Sequence, residues 1–179
     1  MEKQNEKLKS NIKAKESEIR KKRIEINKHI SDNGVYLLHH DVVRQEEFKN
    51  ATGIYVDYKQ NLAYISGHRT KLSASSNFYL KLSARYAMFF SSLQLDSMKY
   101  PRLMFTDNME DKGIESGRAK NLQLVIVNRL KELAEAKESH PSYQLIFATS
   151  YINEELDKPE YTIGDFYTPD NKSLKNVDF

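Results

Sequence analysis

Cysteine is absent from all 179 residues, and so is tryptophan; prolines number four and glycines six. Without cysteine there is no disulfide framework, no thiolate zinc site and no cysteine nucleophile, which excludes a disulfide-stapled secreted mini-protein and agrees with a reducing compartment. No stretch approaches the roughly 18 apolar residues that a membrane span needs, and Lys3, Lys7, Lys9 and Lys13 stand at the N-terminus without an apolar segment behind them. A soluble, cytoplasmic chain without a membrane partner is the expectation. The length suits one ordinary domain. With 39% apolar and 11% aromatic residues a real core is available, and 30% charged residues call for a well-solvated surface or a charged arm.

The charge is unevenly placed. Residues 1–30 hold ten basic and five acidic residues, a net of +5, whereas the other 149 carry 18 basic and 20 acidic residues, a net of −2. This segment has no glycine or proline, and Ile12, Ile19 and Ile26 recur every seven residues, flanked by Leu8 and Ile30. One long helix is expected, about 45 Å at 1.5 Å per residue, with a narrow apolar seam for a partner helix. Lys15 and Lys22 take the other core position, which favours a solvated helix end or half of an antiparallel coiled coil over an independent zipper. Its basic residues form either a solvated face or a surface that tracks a DNA backbone. Ser31-Asp32-Asn33-Gly34 has turn chemistry and is expected to end this arm, so that 1–30 forms a coiled-coil helix and 31–179 a separate lobe.

Within that lobe, Gly53–Tyr58 and Leu62–Ser66 cluster β-favouring residues around Lys59-Gln60-Asn61, the pattern of a hairpin. Ser73-Ala74-Ser75-Ser76-Asn77 precedes a helix expected from Phe78 to about Leu95, with Leu80, Ala84, Ala87 and Phe90 inward. Leu103–Thr106 reads as a buried strand stopping at Asp107. A helix over 116–138 follows, with Leu122, Val125, Ile126, Arg129, Leu130 and Leu133 at helical spacing, and then a second buried strand at Gln144–Thr149. Strand, helix, strand implies an α/β fold with a parallel sheet, whose sites lie at the carboxyl ends of its strands. Tyr161-Thr162-Ile163 is a further short strand candidate. Phe78, Tyr79, Tyr86, Phe89 and Phe90 belong to a helix the core needs, so core packing is the better account of them than base stacking. His29, His39, His40, His68 and His140 show neither metal-ligand spacing nor a hydrolase pattern and read as surface or loop residues.

A hydroxyl-rich helix start, a strand ending in Asp and a strand ending in Thr-Ser come in this order. Together they resemble the C-terminal lobe of an ABC-type ATPase head, as in the structural-maintenance-of-chromosomes proteins and the coiled-coil ATPase of double-strand-break repair, over roughly residues 1–175. That family's signature, L-S-G-G-E, opens a helix that carries Leu, Leu, Arg and Ala at seven, nine, twelve and fourteen residues beyond its Ser. Leu72-Ser73-Ala74-Ser75-Ser76 is followed in that register by Leu80, Leu82, Arg85 and Ala87. Leu103–Asn108 is similar to the Walker B strand, and the wording of both segments resembles a bacterial branch of the class. The resemblance implies that Ser73, Ala74, Ser75, Ser76 and Asn77 present a helix N-terminus to the γ-phosphate of ATP on an opposite head. It also implies that Asp107 holds Mg²⁺, that a neighbouring carboxylate positions water, and that the loop at Lys112–Glu115 couples two heads in a dimer acting on DNA.

The chain departs from the pattern at four places. Asn108 follows the Walker B Asp where a carboxylate is usual, so Glu110 or Asp111 must replace it or hydrolysis is slow. Ser150 stands where a switch His is expected, and Ala74 and Ser75 replace the paired glycines. No G-x-x-x-x-G-K-[ST] string occurs; Gly67-His68-Arg69-Thr70-Lys71 is nearest and wrongly spaced. The resemblance therefore implies the C-terminal half of a head, a fragment or a separately encoded half, with a P-loop-bearing N-terminal lobe as partner and hydrolysis only in their complex. Two other readings stand beside it: a nucleotide clamp or structural interaction module that does not hydrolyse, and a small domain whose basic helix binds nucleic acid.

Overall fold

A computed structural model describes residues 2–42, 45–67, 72–109, 113–136, 142–164, 167, 168, 170 and 171. Among the described residues four helices and four strands are formed: α1 (Glu2–His39), α2 (Glu46–Lys49), β1 (Ile54–Asp57), β2 (Leu62–Ile65), α3 (Ala74–Gln94), β3 (Leu103–Asp107), α4 (Ser116–Glu135) and β4 (Gln144–Ala148). Helices mixed with two small sheets, one antiparallel and one parallel, agree with an α/β class.

The arm helix does not stop at residue 30. α1 runs through Ser31-Asp32-Asn33-Gly34 to His39, because Ile30, Asn33, Gly34, Leu37 and Leu38 recur at helical spacing and are all buried. Asn33, which favours turns when solvated, is here held by side chains: its Nδ2 donates to Ser91 Oγ (3.1 Å) and Gln94 Oε1 (2.6 Å), and its Oδ1 accepts from Arg129 (3.0 Å). Gly34 packs directly against Ile54, whose side chain would have to shift to admit a Cβ at this position. Residues 3–25 of the same helix are exposed throughout.

α3 is the centre of the body. Ser73 caps it, so it begins four residues before the expected start. Tyr79, Tyr86, Phe89 and Phe90 are wholly buried, as expected of core aromatics. The rings also tie α3 to the sheet, with Tyr86 6.3 Å from Phe147 and Phe89 6.0 Å from Tyr143. β1 and β2 form the expected hairpin, Ile54 opposite Ile65 and Tyr55 opposite Tyr64. Asp57 Oδ1 accepts from the Lys59 and Gln60 amides, and Asn61 takes φ 52° to close its turn.

β3 and β4 pair in parallel with Leu103 opposite Gln144 and Asp107 opposite Ala148. They are not the doubly covered strands that their apolar sequences suggest. Thr106 is buried and Met104, Leu145 and Phe147 are half-buried against the core, while Leu103, Phe105 and Ile146 on the other face are 56%, 60% and 38% exposed. Tyr161-Thr162-Ile163 forms no strand; a turn closes there through Lys158 O, and Ile163 is fully exposed. Among the described residues, no helix is long and apolar enough to cross a membrane.

Candidate functional site

The carboxyl end of the parallel sheet gathers one set of candidate residues. β3 delivers Asp107 to the surface and Asn108 immediately after it; the Asn108 amide donates to Ala148 O (2.9 Å), which extends the pairing by one step. Asn108 has φ 42°, a left-handed conformation that asparagine tolerates better than most residues. The chain turns there so that Asp107 stays exposed and Met109 is wholly buried. On the inner side, Thr106 Oγ1 and the Tyr86 hydroxyl are 2.5 Å apart, and burial pushes the Tyr86 phenol far above its ordinary range. Ser150 is exposed two residues beyond Ala148, so Asp107, Asn108 and Ser150 share one end of the sheet. The segment bearing Ser150 is held by Gln123 of α4, which is 1% exposed: its Nε2 donates to Thr149 Oγ1 (3.2 Å) and Tyr151 O (2.8 Å), and its Oε1 accepts from the Asn153 amide (3.0 Å). Glu110, Asp111 and Lys112 lie outside the described residues.

The first turn of α3 holds the other set. Ser73 Oγ accepts from the Ser76 amide (3.2 Å) and stands 3.2 Å from Ser75 Oγ. Ser76 is buried and its hydroxyl donates to Gln45 Oε1 (2.9 Å); Asn77 Nδ2 returns to Leu72 O (3.1 Å). Ser73 and Ala74 are exposed and Ser75 is half-exposed, so the outward side of this turn is theirs and the inward side belongs to Ser76. The two sets are not brought together within the chain. Tyr86, which touches Thr106, is ten residues along α3 from Ser76, about 15 Å by helical rise.

Between them lies a pair that sequence reasoning did not connect. Arg118, in the first turn of α4, donates from Nε to Asp41 Oδ1 (2.8 Å) and from Nη2 to Asp41 Oδ2 (2.7 Å), and both side chains are almost wholly buried. The guanidinium lies 4.4 Å from the Tyr79 ring centre and 5.9 Å from that of Phe48. Tyr79 donates in turn to Leu37 O (3.3 Å), and burial drives its hydroxyl well above the ordinary value. One planar cation thus joins the end of the arm helix, the first turns of α3 and the start of the helix that follows Asp107. Arg118 carried a signal in its spacing, since it stands on the buried face of α4 four residues before Leu122. Asp41 and Gln45 carried none, because their partners are distant in the chain.

Among the described residues, no group of three or more His, Asp or Glu side chains is placed to hold a metal ion. Asp107 is a single exposed carboxylate at a strand end, a donor set that suits Mg²⁺ held largely by water and phosphate rather than by a protein cage. His29 is half-buried, its Nδ1 3.4 Å from Gln94 Oε1, and His39 and His40 are exposed; His68 and His140 lie outside the described residues. The chain matches no protein-family model and no curated protein.

Proposed function

We propose that the chain is the C-terminal half of a coiled-coil ABC-type ATPase head of the structural-maintenance-of-chromosomes kind, completed by a lobe that carries the P-loop. The observation that supports this reading is the narrow parallel sheet with one exposed apolar face. Parallel strands are ordinarily buried on both faces within wider sheets. Among the described residues two such strands pair, and Leu103, Phe105 and Ile146 on one face are exposed. A second lobe would cover that face and bring a phosphate cradle to the end of β3, where Asp107 stands.

In this reading Asp107 holds Mg²⁺ through water, Asn108 orients water, and Ser150 offers a hydroxyl to phosphate. Glu110 or Asp111 would supply the carboxylate. Ser73, Ala74 and Ser75, the outward part of the α3 cap, face the nucleotide of a second head, with Ser76 and Asn77 holding the cap in shape. ATP would supply the free energy of head engagement, and the arm would carry that engagement to DNA in repair or defence, in the cytoplasm. Asn108 favours a second version of the same architecture, a nucleotide clamp with negligible turnover, because an amide cannot accept a proton from water.

The test is binding of a labelled ATP with Mg²⁺ by the chain alone and after mixing with a P-loop-bearing lobe. Binding only in the mixture, lost with Asp107→Ala, is the expected result. Tight binding by the chain alone, or unchanged binding with Asp107→Ala, would remove Asp107 and the split head from consideration. Turnover in the mixture separates the ATPase from the clamp.

A further inference from the structure

The hairpin carries aromatic residues that the core does not use. Ile54 and Ile65 turn one face of β1–β2 into the body, while Tyr55 and Tyr64 on the opposite face are 58% and 45% exposed, their ring centres 6.5 Å apart. Tyr58, at the turn, is 59% exposed. Tyr55 and Tyr58 stand beside the exposed arm helix, and between the two elements runs an open groove of about 710 Å³. Its walls include Lys22, Arg23 and Ile26 of α1 and Tyr55, Tyr58 and Lys59 of the hairpin. Asp57, the acidic residue in the lining, accepts two backbone amides of its own turn through Oδ1. Lys22 also pairs with Glu18 at 2.7 Å, but both side chains are more than half exposed, so the pair exchanges readily with another anion.

We propose that this groove binds a single strand of nucleic acid, its bases stacked on Tyr55 and Tyr58 and its phosphates on Lys22, Arg23 and Lys59. Charge complementarity points to this occupant: Lys22, Arg23 and Lys59 offer their cations to the groove, and Asp57 is already engaged by its own turn, so a phosphate backbone uses those cations where they are. Exposed rings beside cations form a stacking platform for unpaired bases, and the bases of a duplex cannot reach it. The inference goes beyond the nucleotide reading and needs neither Asp107, Ser75 nor a second lobe.

The test is fluorescence anisotropy with labelled oligo(dT), oligo(rU) and a blunt DNA duplex, using the full chain without ATP. Tyr55→Ala and Tyr58→Ala should each weaken single-strand binding by about 5- to 150-fold, the range that one lost stacked base represents, and Tyr55→Phe should restore it. The exposed positions of both tyrosines keep these variants folded, which a thermal melt verifies. Lys22→Glu combined with Arg23→Glu should weaken binding and flatten its dependence on the logarithm of salt by about 1.4, two phosphates' worth. Comparable affinity for the two oligonucleotides assigns the site to any single strand, and a preference that persists when oligo(dU) replaces oligo(dT) assigns the sugar. Two results overturn the proposal: unchanged affinity in both alanine variants while charge reversal abolishes it, which means backbone tracking by the arm alone, or no single-strand binding at all, which leaves the groove to an acidic helix. Neither depends on whether ATP binds the chain and its second lobe.

Discussion

Replacing Asp41 by Asn removes one charge and almost no volume from the most buried ion pair described in the protein. The carboxylate is 0% exposed and its partner guanidinium 4%, with two charge-assisted hydrogen bonds at 2.8 and 2.7 Å. An amide can accept one of those bonds but cannot balance the cation, and its own N–H₂ group then faces the guanidinium. Removing one member of such a pair destabilises by about 3–5 kcal/mol, chiefly because the remaining charge is left without compensation in a dry site. For a chain of this size each kcal/mol moves the midpoint by about 2–4 °C, so a fall of about 6–20 °C is expected. Circular dichroism melts and urea titrations of both proteins measure it. Removing both charges with Asp41→Leu and Arg118→Met should recover much of the loss, since an apolar pair needs no compensation. A single variant within about 1 kcal/mol of the parent would refute the reasoning. It would mean that water reaches the pair and that Arg118 does not join the arm, α3 and the helix after Asp107.

Three further outcomes are expected. Gly34→Ala should destabilise by about 1–2 kcal/mol in urea titration, because a Cβ 2.1 Å from Ile54 Cδ1 outweighs the better helix propensity of alanine; a stabilised variant would show that Ile54 moves aside freely. Leu103→Ser with Phe105→Ser should leave the melting of the chain within about 0.5 kcal/mol of the parent, since both side chains are exposed, yet prevent association with a P-loop lobe in sedimentation experiments. Glu132 is held below the usual carboxylate range first by its hydrogen bond from Arg129 and also by that from Tyr36, whose own hydroxyl is pushed up to about 12 by burial and by Glu132. A carboxyl depressed in the folded state contributes stability above its unfolded value of about 4.3 and loses it as pH falls through the lower folded value. Glu132→Gln should therefore flatten the acid limb of stability by no more than about 0.5 kcal/mol, as the side chain is half exposed.

Periodicity and turn chemistry by themselves determined the repeating elements: the long basic helix, the hairpin around Lys59-Gln60-Asn61, the aromatic helix α3, and a strand–helix–strand order that demands parallel pairing of β3 and β4. Such patterns are local, and local burial enforces them. The same reasoning placed Asp107, Asn108 and Ser150 at one end of the sheet, because strand ends are legible where an apolar run stops. Tertiary contact decided the rest. Asn33 and Gly34 look like a turn until Ser91, Gln94 and Arg129 satisfy the amide and Ile54 occupies the space a side chain would take. Ser76 turns inward because Gln45 waits there, and Arg118 is buried because Asp41, 77 residues earlier, neutralises it. The exposed face of β3 and β4 was equally hidden, since an apolar strand reads the same whether its second face is covered by its own chain or left bare. Sequence records what each segment prefers; which distant partner satisfies a buried polar group, and which apolar face goes without one, exists only once the segments are packed.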